Sequence, residues 1–166
     1  MPSSLHLDDE VVSDTTSICQ LFSSYFNLVY SPSSRVSPSF SYPVFDSLCV
    51  ITTSTEEVLS KLKNLDTTKG AGIDNIPPSM LHHCRSLLAE PLTVLFNESL
   101  NKGIFPSSLK LGFIIPLHKA NDPSDIRNHR PITILLAIGK VFESIVVDRL
   151  NPFLSKIIRI LPNMVL

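Results

Sequence analysis

The sequence has few of the residues that mark metal-binding, disulfide-linked or disordered proteins. Its three cysteines, Cys19, Cys49 and Cys84, lie far apart and form no Cys-x-x-Cys pair, which argues against a zinc ribbon or a thioredoxin-like site. Charged residues make up only 17% of the 166 residues and hydrophobic residues 43%. This balance excludes a wholly disordered chain. The length and composition predict one folded domain, or part of a larger one.

We also expect no signal peptide and no membrane-spanning apolar run. The first ten residues, MPSSLHLDDE, are acidic and have no apolar core. The longest apolar stretch, residues 131–147, is interrupted by Lys140 and Glu143, so we expect no membrane span. Together with the odd number of cysteines, these features predict an intracellular protein without a membrane partner.

The charges are unevenly distributed along the chain. Residues 1–60 contain one basic and seven acidic residues, for a net charge of −6, whereas residues 61–166 contain 13 basic and eight acidic residues, for +5. The overall net charge of −1 conceals this difference. A nucleic-acid partner is therefore expected to contact the second part.

The first half of the chain shows two helical patterns separated by a linker. Residues 1–13 are predicted to be a loose leader, and Asp14 is placed to cap a helix over residues 15–30. Residues 31–43, with six serines and three prolines, have the composition of a linker. Ser54 and Glu57 form a capping-box pattern for a helix that ends near residue 65. The buried stripe of the first helix is predicted to be Ile18, Leu21, Phe22, Tyr25, Phe26 and Val29.

The second half predicts further helices around a β-hairpin. Pro77-Pro78 is typical of a helix start. The next helix is predicted to place Pro91 in its first turn and to end at Gly103 in the left-handed conformation. Two apolar runs, 111–117 and 131–135, predict strands joined by a long polar loop, and a last helix begins near residue 137. The stripe of the helix before Gly103 comprises Leu87, Leu88, Leu92, Leu95, Phe96 and Leu100.

Four blocks of this second half occur in an order and at spacings that resemble one protein family. They are KGAGIDNIPPSML at 69–81, LFNESLNKGIFPSSLKLGFIIPLHK at 95–119, NHRPITIL at 128–135 and GKVFESIVVDRL at 139–150. They resemble the N-terminal part of the reverse transcriptase domain of non-LTR retrotransposons, the jockey-like, LINE-type elements. LFSSYF at 21–26 resembles a stretch that precedes this domain.

The chain departs from the family pattern at four positions. Ile73 and Asn75 replace a proline and a glycine, Leu109 replaces a tryptophan, and His129 replaces a tyrosine.

The resemblance implies an α+β fold, the truncated fingers and start of the palm of a right-hand polymerase, mostly helical with a β-hairpin. It divides the chain into a leader helix and Ser/Pro-rich linker, residues 1–53, and a partial reverse transcriptase domain, residues 54–166. In the family, the hairpin reaches over the incoming nucleotide, which implies that Lys119 and Arg130 contact the triphosphate. Without the resemblance, these two residues would be read as solvated surface charges.

Other residues receive structural roles. Gly72 and Asp74 mark the family's turn before a helix. We expect structural roles for them in preference to ligand contact, because glycine permits a positive φ and a short acidic side chain caps nearby N–H groups. Arg149 is assigned to the solvent-exposed face of the last helix, and Lys140 either to that face or to the template backbone.

The resemblance also implies an activity, RNA-directed DNA polymerisation with an RNA template, a DNA primer and a nucleoside triphosphate. Two Mg²⁺ ions held by carboxylates are expected in the complete polymerase. The family's carboxylates lie beyond the fourth block, so we expect no catalytic residue, no bound metal or cofactor and no activity in this chain alone. We interpret neither His6-Leu7-Asp8-Asp9 nor His82-His83-Cys84 as a catalytic or metal site. The alternatives are a non-catalytic nucleic-acid-binding module and a degenerate relic of an element.

Overall fold

The computed structural model describes residues 4–8, 10–28 and 51–160, with the side chains of residue 10 and residues 157–160 excepted. The fold is mixed helix and sheet, as predicted, with two small antiparallel sheets, β1–β2 and β3–β4. Two 3₁₀ turns, Ser107–Lys110 and Ile126–Asn128, precede the strands of the second sheet. The linker predicted over 31–43 lies outside the described residues. The elements are β1 Leu5–Leu7, β2 Glu10–Val12, α1 Thr15–Asn27, α2 Thr55–Lys63, α3 Pro78–His83, α4 Arg85–Lys102, β3 Gly112–His118, β4 His129–Leu135 and α5 Ala137–Ile160.

The chain divides into two compact units. The first, called the hairpin unit here, combines Met1–Pro43 with Ile114–Thr133, and the second, the helical unit, combines Val44–Phe113 with Ile134–Leu166. The contacts thus group the end of the β3–β4 hairpin with the first residues of the chain. These units do not test the predicted domain boundary between residues 53 and 54, which stays a prediction.

The helical unit has one apolar core built by α2, α3, α4 and α5. Phe96 of α4 is fully buried, and its ring stacks on that of Phe142 with 4.8 Å between centroids. Phe105 also packs against the cluster, with its ring centroid 5.2 Å from that of Phe142. These rings join helices distant in sequence. The buried members are Val58, Leu62, Leu81, Leu92, Phe96, Ala137, Val141, Phe142 and Ile145.

The hairpin unit confirms the predicted first helix and corrects the segment before it. The Asp14 carboxylate accepts a hydrogen bond from the N–H of Ser17 at 2.9 Å, which caps α1. The prediction of a loose leader is wrong, because β1 pairs with β2 in register Leu5 opposite Val12 and Leu5 is fully buried. Three-residue strands in an acidic segment are too short to show a periodic pattern. The cluster contains Leu5, Ile18, Leu21, Phe22, Phe26 and Ile126.

Two helix predictions for the helical unit need correction. Helix α4 begins at Arg85, so Pro91 lies inside it rather than in its first turn. The missing N–H removes one hydrogen bond from the helix. Leu87 and Leu95, both predicted in the buried stripe, are 82% and 43% exposed. Gly103, with φ +62°, ends the helix in the left-handed conformation as predicted.

Candidate functional site

Lys119 and Arg130 lie at the loop end of the β3–β4 hairpin, Lys119 directly after β3 and Arg130 in β4. The Lys119 N–H donates to the carbonyl of Asn128 over 2.7 Å, which closes the hairpin at the point where the loop begins. Arg130 follows two residues after this carbonyl, and both side chains are exposed. The hairpin therefore brings the two predicted cations to the same end of one element.

Five other cations of the basic second part form ion pairs within the chain. Arg127 pairs with Asp8 and, at 3.9 Å, with Asp125. Lys119 and Arg130, in contrast, make neither an ion pair nor a side-chain hydrogen bond with any other described residue. The other ion pairs are Lys61–Asp148 at 2.5 Å, Lys69–Asp66 at 3.7 Å, Lys102–Glu98 at 2.8 Å and Arg149–Glu57 at 2.7 Å.

The loop between the strands uses its own acidic residues to hold its shape. The Asp122 carboxylate accepts from the backbone N–H of Ser124 at 2.9 Å and from its hydroxyl at 2.7 Å. These two hydrogen bonds lower the pKa of Asp122, with smaller contributions from the charges of His6 and His118. The Asp125 carboxylate accepts from the N–H of Arg127 at 3.0 Å. Both aspartates of the loop are thus engaged away from Arg130.

His129, the residue before Arg130, is buried, which sequence reasoning did not detect. Its Nδ1 lies 3.2 Å from the carbonyl oxygen of Asp125, and its ring meets that of Phe22 edge-on at 5.0 Å. The His118 ring lies 5.5 Å away. The sequence showed only that a histidine replaces the family's tyrosine. The one sequence signal for this burial was the apolar stripe of α1, which had to pack against some other part of the chain. The spacing of residues along the sequence does not show that this part is His129.

The predicted turn at Gly72 and Asp74 belongs to the helical unit. The carbonyl of Gly72 accepts from the N–H of Asn75 at 3.1 Å, and the Asp74 carboxylate accepts from the N–H of Ile76 at 3.1 Å. The expectation of a positive φ at Gly72 is wrong, since the left-handed residue is Asn75, with φ +58°. A Cβ added at Gly72 would lie 3.1 Å from Cδ2 of Leu136. Gly72 thus permits close packing.

The described residues do not fit a Mg²⁺ site. No group of three His, Cys, Asp or Glu side chains among them is placed to hold a metal ion. In the HHC segment, Nδ1 of His83 lies 2.6 Å from the carbonyl oxygen of Ser79. Asp8 of the HLDD segment pairs with Arg127, and the following aspartate lies outside the described residues. Within the described part of the chain, no helix has the length and apolarity needed to cross a bilayer.

Comparison with known proteins finds relatives of one kind. No family model matches the chain. It is 29% identical over 126 residues to the probable RNA-directed DNA polymerase from transposon BS of Drosophila melanogaster, covering 75% of this chain and 14% of that protein. It is 29% identical over 125 residues to the RNA-directed DNA polymerase from mobile element jockey of the same species, covering 73% and 14%. A Pol polyprotein from the type-1 retrotransposable element R1 of Bradysia coprophila is 31% identical over 98 residues, covering 58% and 10%.

These relatives share one class, the RNA-directed DNA polymerases of mobile elements. Within that class the chain is homologous to the enzymes of non-LTR retrotransposons and is jockey-like, as the four sequence blocks predicted. The chain spans about 14% of the length of the BS and jockey proteins.

Proposed function

We propose that this chain is the part of an RNA-directed DNA polymerase whose β3–β4 hairpin contacts the incoming nucleotide, in the fingers region of a right-hand polymerase. Arg130 and Lys119 bind the triphosphate. The observation that supports this role is that both are exposed at one end of the hairpin and free of carboxylate partners among the described residues. A ligand can therefore use both charges without breaking an ion pair.

The chemistry of the two side chains suits a triphosphate. The planar guanidinium of Arg130 can donate two parallel hydrogen bonds to phosphate oxygens, whereas the ammonium of Lys119 supplies a compact point charge. The antiparallel backbone bond between Lys119 and Asn128 sets the strands from which they extend. Preorganised charges of this kind stabilise the charge that develops as pyrophosphate leaves.

We further propose that the chain alone does not polymerise. In the complete enzyme, Mg²⁺ would activate the primer hydroxyl and stabilise the leaving oxygen. The described residues bind and orient the nucleotide and contribute no cluster for those ions. Primer extension with Mg²⁺ or Mn²⁺ should therefore give no product above a control without protein, and extension would contradict this part of the proposal.

Equilibrium dialysis with radiolabelled dTTP and Mg²⁺ tests the nucleotide site. Loss of a charged hydrogen-bonded pair should weaken binding about 10- to 100-fold in Arg130→Ala, and Lys119→Ala should lose less because it removes a single point charge. Lys63→Ala, which removes an exposed cation of α2, is the matched control and should bind like the parent chain. Equal binding by the parent and Arg130→Ala, or no binding by the parent, would overturn the proposal.

A second candidate, a non-catalytic nucleic-acid-binding module, is favoured by two lysines of the helical unit. Lys110 and Lys140 are exposed and have no carboxylate partner among the described residues. They lie on adjoining elements, since a Cβ added at Gly139 of α5 would stand 3.2 Å from the carbonyl oxygen of Leu109. Two free cations on neighbouring elements suit the phosphates of a nucleic-acid backbone. RNA binding that persists in Arg130→Ala would support this role.

A further inference from the structure

The first residues of the chain are bound to the tip of the hairpin that carries Lys119 and Arg130. The segment consists of residues 4–8 and 10–28 and is called the N-terminal segment below. We infer that this segment is a positioning element for Arg130, with Phe22 and His129 as positioning residues. This inference rests on the nucleotide role proposed above. Neither side chain is assigned a contact with the nucleotide.

Apolar packing provides the first link between the segment and the loop. Ile126, in the loop before β4, is fully buried in the cluster formed by β1 and α1. The same cluster contains Leu5 and Phe22. Because a packed interior tolerates few alternative arrangements, burial of this one side chain ties the end of the loop to α1.

Backbone and ionic contacts provide the second link. The N–H of His6 donates to the carbonyl of Ser124 over 2.8 Å, and His6 forms a parallel bridge with Asp125. Asp8 pairs with Arg127. The β1–β2 hairpin therefore contacts the loop at successive positions, from 124 to 127, immediately before the strand that carries Arg130.

The burial of His129 determines the face of β4 to which the Arg130 side chain points. Successive side chains of a strand point to opposite faces. Since the ring of His129 is buried against Phe22, with its Nδ1 beside the Asp125 carbonyl, the next side chain must point to the other, exposed face. A slip of one residue would reverse these orientations and bury the guanidinium. The contact between Phe22 and His129 thus selects the orientation in which Arg130 is available to a triphosphate.

A double-mutant cycle tests this inference in the full chain, with dTTP and Mg²⁺ as the probe. Phe22→Ala should weaken dTTP binding about 3- to 10-fold, the scale of an aromatic contact. In an Arg130→Ala background it should have no further effect, because it acts through Arg130. Leu28→Ala, which removes an exposed apolar side chain just after α1, is the matched control and should leave binding unchanged.

Hydrogen exchange separates the anchoring from general unfolding. Phe22→Ala, and more mildly Asp8→Asn, should speed exchange of the Lys119 amide while the amides of α4 keep their protection. If the parent binds dTTP and Phe22→Ala binds equally well, or if its effect is undiminished in Arg130→Ala, the positioning role is overturned and the proposed nucleotide site stands. If the parent does not bind dTTP, the proposed function fails and the inference fails with it.

Discussion

The guanidinium of Arg149 donates to Oε2 of Glu57 over 2.7 Å, which joins α5 to α2 across 92 positions of the sequence. The hydroxyl of Thr53 donates to the same oxygen at 2.9 Å. The sequence pattern of Ser54 and Glu57 predicted that this glutamate would reach back to its own helix cap. Only the other half of that capping box forms, since Ser54 Oγ accepts from the Glu57 N–H at 3.3 Å. Arg149, predicted on the solvent-exposed face of the last helix, keeps a side chain that is 40% exposed and in addition pairs with Glu57.

Removing Arg149 should therefore destabilise the helical unit. We expect Arg149→Ala to lower the free energy of unfolding by about 1–2 kcal/mol, between the values for exposed and for buried ion pairs. Urea denaturation followed by circular dichroism measures this change. Lys63→Ala, an exposed cation of α2 without a described carboxylate partner, should change it by less than about 0.5 kcal/mol. Equal effects of the two substitutions would show that the ion pair contributes nothing specific.

The aromatic stack in the core should be the most sensitive site in the helical unit. Phe96→Ala removes a fully buried ring that stacks on Phe142, and such truncations cost about 3–5 kcal/mol. Leu87→Ala on the same helix removes an exposed side chain and should cost less than about 0.5 kcal/mol. Thermal and urea unfolding of both variants provide the measurement. Similar midpoints would contradict the placement of these two residues on opposite faces of α4.

The left-handed conformation of Asn75, in the turn that contains Gly72 and Asp74, can be tested by substitution. Asparagine tolerates a positive φ better than other residues with a Cβ, and glycine adopts it freely. Asn75→Gly should therefore keep or slightly raise the stability, whereas Asn75→Val should lower it by about 1–2 kcal/mol. Denaturant midpoints report both changes. A valine variant as stable as the glycine variant would contradict the left-handed assignment.

Acidification should loosen the loop of the hairpin at a pH set by Asp122. The hydrogen bonds from Ser124 hold the pKa of this carboxyl below its ordinary value of 3.8. A depressed folded pKa contributes stability that is present above the unfolded pKa and is lost as the pH falls through the folded value. Carboxyl ¹³C NMR should show Asp122 titrating below 3.8, with Ser124 amide protection lost over the same range. Titration at or above 3.8 would contradict the two hydrogen bonds.

If the chain binds RNA through Lys110 and Lys140, the dependence of RNA affinity on salt concentration should change when these lysines are removed. Each phosphate contact with a single strand contributes about −0.7 to the slope of log affinity against log salt. The double variant Lys110→Ala, Lys140→Ala should reduce the slope by about 1.4. Lys102→Ala should change it less, because Lys102 already pairs with Glu98 at 2.8 Å. Gel shifts over a salt series provide the measurement, and equal slopes for all three proteins would exclude these lysines.

Local signals predicted much of the secondary structure. Asp14, Pro78 and Gly103 all stand where their backbone chemistry places a helix start or end. The hairpin strands agree with the apolar runs to within a few residues. The short strands β1 and β2 were missed, because their pairing depends on burial of Leu5 rather than on a repeating pattern. The start of α4 was placed too late, since Pro91 was taken as a sign of a first turn.

The sequence by itself determined the homology to non-LTR reverse transcriptases, the helices and the hairpin, because each rests on residues close together in the chain. It also identified Lys119 and Arg130 as candidates. Only the tertiary structure decided which cations of the basic part are neutralised, since Lys61 meets Asp148 and Arg127 meets Asp8 across 87 and 119 positions. It alone revealed His129 against Phe22. Such contacts depend on distance in space, which the spacing of residues along the sequence does not specify.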